Sequence, residues 1–124
     1  MKTMKLNAWG KKYNLCIEVC KYEQNGNLAL QLYYQDKKYW EPFAIFTVNI
    51  GKKCAQECSY VDTNDCPWAP ALIEKYKLGE HTGEFGFSGY CVYPEYRFNM
   101  SEIEKYEYRE PKPPVKDKSR DDGR

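Results

Sequence analysis

Histidine is nearly absent: His81 is the only one in 124 residues, so acid–base chemistry near neutral pH has a single candidate group. A charge excess is missing as well. Nineteen Lys and Arg stand against eighteen Asp and Glu, for a net charge of +1. That balance excludes a histone-like polycation and an acidic mimic of DNA. Long apolar runs are also lacking. The longest, Phe43 to Ile50, falls far short of the roughly 20 residues of a membrane helix. Met1 to Gly10 carry neither the apolar stretch nor the small-residue cleavage site of a signal peptide. The expectation is a soluble, cytoplasmic protein with no membrane partner. Cysteine is not scarce, with Cys16, Cys20, Cys54, Cys58, Cys66 and Cys91. A reducing cytosol makes thiols their default state.

Aromatic residues are abundant, at 16% with twelve tyrosines. They suit both a small core and a protein-binding surface, because tyrosine buries much area with little entropy loss. The length fits one domain. Its first half reads as an antiparallel meander. Lys5 to Trp9 is a short strand. Tyr13 to Tyr22 alternates, with Tyr13, Leu15, Ile17 and Val19 on one face. Asn25-Gly26 marks a tight hairpin. Leu28 to Tyr34 alternates again, and Phe43 to Ile50, apolar on both faces, reads as a central strand beginning after Pro42.

The second half changes character. Ser59 to Asp62 is a short strand. Asn64-Asp65-Cys66-Pro67 reads as the start of a helix whose buried stripe is Trp68, Ala71, Leu72 and Tyr76, with Gly79 ending it. Gly83, Gly86 and Gly89 punctuate a loop, Tyr90 to Phe98 is a strand, and Ser101 to Glu104 is a capping box for a short C-terminal helix. The expected fold is therefore α+β: an antiparallel sheet of about five or six strands with one main helix packed on a face. Residues 1–108 form a single globular domain, with Phe46, Val48 and Leu72 buried. Residues 109–124 hold one aliphatic residue, Val115, and are expected to be a disordered tail.

Several segments share an ordered pattern: Phe46 to Ile50, Tyr60 to Asn64 with Pro67-Trp68, Leu78 to Gly83, Ser88 to Cys91, and Tyr93 to Phe98. Together they resemble the domain-of-unknown-function 4313 family, small proteins of Firmicutes, their phages and mobile elements. The likeness spans Tyr39 to Asn99. It implies no reaction, but it implies a setting in which small accessory products bind and modulate host machinery. The resemblance is densest in Asp62-Thr63-Asn64 and His81-Thr82-Gly83, both in predicted loops, where sites on a rigid scaffold usually lie. The expected function is thus a non-enzymatic binding protein that inhibits or modulates a host (defence) protein by protein–protein contact. Its expected site is Asp62, Asn64, Trp68, His81 and Arg97. The structural alternative is that Asp62 and Asn64 cap the helix and Arg97 holds a carboxylate such as Asp62.

Other chemistries are weaker. Cys54, Cys58 and Cys66 with His81 or Cys91 offer four metal ligands, but the gaps are not those of a zinc ribbon or finger, and no cofactor is expected. A Cys91 nucleophile with His81 and Asp62 or Glu84 has no spacing that demands it. The glycine run from Gly79 to Gly89 lacks the Lys-Ser/Thr ending of a phosphate loop. Lys11-Lys12 and Lys37-Lys38 should emerge at the same end of the meander, flanked by Trp9, Tyr13, Tyr39 and Trp40. Phosphate binding and base stacking there make a nucleic-acid or nucleotide binder the alternative function.

Overall fold

The computed structural model describes residues 2–108. The expected tail, 109–124, lies outside them. The meander forms as the alternation dictates. Strands β1 (Met4–Ala8), β2 (Lys11–Lys21), β3 (Leu28–Asp36) and β4 (Tyr39–Ile45) make one antiparallel sheet in that order. Cross-strand pairs such as Met4 with Leu15, Ile17 with Leu32 and Val19 with Leu30 put their side chains on one face. The β2–β3 connection is longer than a two-residue hairpin. Tyr22 N donates to Asn27 O and Gly26 N to Tyr22 O, so Asn25-Gly26 lies inside a six-residue loop.

Phe43 to Ile50 is not one central strand. The chain leaves the first sheet at Ile45, and Phe46 turns into the core with its N–H donating to Leu30 O. Strand β5 (Thr47–Val48) then begins a second sheet with β6 (Cys58–Val61), β8 (Cys91–Phe98) and β7 (Gly79–Ser88), in the order β5-β6-β8-β7. Thr47 clamps the junction, as its buried Oγ1 accepts from Leu30 N at 3.1 Å. Ser59, fully buried, donates to Leu28 O at 2.8 Å.

The α+β expectation is therefore corrected. Two four-stranded antiparallel sheets make up most of the described chain, and the helices are short connectors. The anticipated main helix is α1 (Ala69–Lys75), of seven residues. Its first-turn amides receive no side-chain cap, and it stops where Lys77 takes a φ of +56°, not at Gly79. Its buried residues are Ala69, Leu72 and Ile73, whereas Ala71 is exposed. Gly79 instead opens β7, where a Cβ would stand 2.6 Å from Arg97 O. The final helix α2 (Met100–Glu104) is capped by Asn99, which accepts from Glu102 N, two residues ahead of a box at Ser101.

The main core joins the inner face of the first sheet (Met4, Leu15, Ile17, Leu30, Leu32) to Phe46 at the crossing and to Val61 and Phe98 of the second sheet, with Leu72, Ile73 and Ile103 from the helices. Phe46 and Leu72 are buried, but Val48 is only partly so. A second, smaller core of Cys54, Cys58, Tyr60 and Tyr93 lies on the other face of the second sheet. The loop after β5 covers it. Buried Asn27 anchors that loop, donating to Lys52 O and accepting from Cys54 N.

Candidate functional site

Of the five expected site residues, two meet. His81 on β7 and Arg97 on β8 line an open groove of about 960 Å3 between α1 and the β7–β8 pair, together with Tyr96, Glu74, Glu80 and Lys77. The His81 ring lies 4.9 Å from Phe85 and 5.5 Å from Tyr96, with Nε2 3.3 Å from Glu84 O. Burial raises the Tyr96 phenol above its ordinary range, helped by the Glu74 charge, so Tyr96 stays a hydroxyl.

Asp62, Asn64 and Trp68 do not line the groove. Asp62 closes the turn after β6, its Oδ1 accepting from Asp65 N at 3.0 Å. Asn64 is exposed, with its Nδ2 donating to Asp65 Oδ1 at 3.4 Å. Trp68 packs on Phe43 at 5.4 Å, and its buried Nε1 has no hydrogen-bond partner among the described residues. No ion pair links Arg97 to Asp62 among the described residues. Arg97 stands by the Cys58 thiol instead, partly offsetting the rise that burial imposes there.

The lysine end forms only in part. Lys11, Lys12, Lys37 and Lys38 are exposed beside the two turns. Trp9 is 70% exposed, at the edge of an aromatic cluster with Tyr13 and Phe43. Trp40, however, is buried and packs on Tyr108 at 6.0 Å, so it offers no face for a base.

The thiols separate. Cys66 sits in the main core, while Cys54, Cys58 and Cys91 belong to the second. Among the described residues no three His, Cys, Asp or Glu side chains stand where they could share a metal ion. Burial raises both the Cys54 and Cys66 thiols to about 11. Thiols so disfavoured as thiolates are poor nucleophiles. Cys91 pairs with Ser88 and His81 with Tyr96, five residues along β8, roughly 16 Å by strand rise. No dyad is assembled.

The residues that sequence reasoning missed are on the same hairpin. Gly79 to Gly89 is a strand and its turn, not a loop. Phe85 (47%), Phe87 (70%), Tyr90 (107%) and Val92 (47%) are all exposed. Register pairs Phe87 with Val92 and Phe85 with Pro94, so Phe85, Phe87 and Val92 share one face of the ribbon, and Tyr90 stands in the turn at its end. The signal was present in Phe85-Gly86-Phe87, a period-two alternation before a Ser-Gly turn.

A family profile, Domain of unknown function (DUF4313), matches residues 16–112. The chain belongs to that family. The DUF4313 match begins inside β2 and so takes in most of both sheets, further than the motif-bearing stretch from Tyr39 to Asn99. Comparison with curated proteins and with solved structures finds no match. No helix among the described residues is long and apolar enough to cross a membrane.

Proposed function

We propose that this DUF4313 protein is a binding protein that engages a host protein through the β7–β8 hairpin. The observation that carries this reading is the exposed row Phe85, Phe87, Tyr90 and Val92. Contiguous apolar groups left in water mark interaction surfaces, and aromatic residues are enriched where proteins meet. With aromatic side chains of about 150–250 Å2 each, the row exposes roughly 500 Å2. A standard interface takes about 800 Å2 from each partner, and the adjoining groove with Tyr96 and His81 extends the face. The setting, an accessory product acting on host machinery, comes from the family resemblance.

Capture from a host lysate followed by mass spectrometry tests the reading. The wild-type chain should retain a discrete protein that Phe87→Asp loses, with melting temperature unchanged. Equal capture by both would remove the hairpin from the function.

A further inference from the structure

The edges of the two sheets are unequally protected. In the first sheet, β1 has five residues, and Lys5 N is already engaged by Tyr76 Oη at 2.7 Å. Strand β4 contains Pro42 and slips register against β3 between Leu32 and Tyr33. In the second sheet, β5 has two residues. Strand β7 has ten, with no proline, and its usual guards, two charges (Glu80 and Glu84) and a bulge, all lie before Phe85. Its bulge, between His81 and Phe85, occupies its own backbone: Glu84 N donates to Thr82 Oγ1 and Glu84 O faces His81 Nε2. Beyond the bulge, Phe85–Ser88 runs in regular register with β8. Among the described residues no backbone hydrogen bond reaches this stretch from outside its ladder.

Charge distinguishes the occupants that fit this edge. Glu80 and Glu84 lie exposed on β7, and neither makes an ion pair with another described residue. Glu80 already faces Arg97 across the β7–β8 ladder, so Glu84 is the charge left to meet, and a second copy would bring another Glu84 and no base for it. An incoming strand with basic residues on the Glu84 face and aliphatic residues opposite Phe85 and Phe87 satisfies both faces, since cross-strand partners share a side.

Resting on the function proposed above, we propose that the partner binds by strand addition: an extended segment of alternating aliphatic and basic residues pairs with β7 along Phe85–Ser88. Backbone bonds would supply affinity, and the two faces would supply selectivity.

A peptide probe, acetyl-Thr-Lys-Val-Lys-Val-Lys-Thr-amide, tests this directly beside a version with Glu at the Lys positions. Fluorescence anisotropy gives affinity, and amide hydrogen exchange by NMR gives position. The Lys peptide should slow exchange within residues 85–88 and bind more tightly than the Glu peptide. Glu84→Lys should reverse that preference, and Phe87→Lys should weaken both peptides at least tenfold. Equal affinity for the two peptides, protection elsewhere, or protection of 85–88 by self-association without peptide would each overturn the proposal. If the peptide fails while lysate capture still depends on Phe87, strand addition is lost but hairpin binding stands. If capture ignores Phe87, the functional reading itself fails.

Discussion

Gly86 lies against the ring of Tyr60: a Cβ built on it would stand 2.6 Å from Tyr60 Cε1 and would also meet Ile50 Cδ1. Tyr60 is 2% exposed in the second core, so it has little room to yield. The contact fixes one face of the β7–β8 hairpin to the thiol-lined core and leaves the other, with Phe85 and Phe87, in water.

Gly86→Ala should therefore cost about 1–3 kcal/mol, the usual range for overpacking. Gly83→Ala meets no atom within 4 Å and carries only the strain of its φ of +97°. Chemical denaturation of the two variants separates steric crowding from backbone strain. A loss below about 0.5 kcal/mol at Gly86 would show that Tyr60 moves aside.

The junction of the two sheets gives a second prediction. Thr47→Val keeps the shape but removes the acceptor for Leu30 N and the partner of Tyr22 Oη, at 3.1 Å each. An orphaned buried amide costs about 1–3 kcal/mol, and thermal unfolding should show the loss. Thr47→Ser, which retains the oxygen, should lose less.

The first sheet was legible because its alternation is strict: Leu15, Ile17, Leu30 and Leu32 point one way and recur at period two. Strand β7 was hidden by its glycines. Gly79 and Gly86 are there for close approach to Arg97 O and Tyr60, and Gly83 for the positive φ in the bulge. In sequence all three read as turn punctuation. The helix was over-read because Trp68 and Tyr76, spaced as a buried stripe, serve other contacts. Trp68 extends the aromatic cluster through Phe43, and Tyr76 packs on Tyr106 while its hydroxyl accepts from Lys5 N. The passage of Phe43 to Ile50 from one sheet to the other leaves no mark in hydropathy, because apolar residues suit either side of the crossing.

Stability should fall at alkaline pH. Burial raises the Cys54 and Cys66 thiols from the ordinary 9 to about 11. A raised pKa on a group that is neutral when protonated stabilises the fold fully below about 9. That stability is lost progressively as pH climbs through about 11. Melting temperature against pH should decline over this window, and Cys54→Ala with Cys66→Ala should flatten the decline. A flat wild-type profile would show that neither thiol is held away from ionisation.

Turn and site residues should separate on mutation. Asp62→Ala removes the acceptor for Asp65 N and should cost roughly 0.5–2 kcal/mol, as losing such a cap does. It should not change partner binding. Charge reversal at Lys11, Lys12, Lys37 and Lys38 should likewise leave partner binding intact, because those residues lie beside turns of the other sheet. Binding isotherms checked against melting temperature distinguish the two effects.

The hairpin's role is tested most directly by titration calorimetry of the captured partner against wild type, Phe87→Asp and Tyr90→Asp. Both side chains are exposed, so stability should change by no more than about 0.5 kcal/mol. Each substitution should weaken binding by at least about 2 kcal/mol, the scale of an interface hot spot. Unchanged affinity in both variants would contradict a binding face on the β7–β8 hairpin.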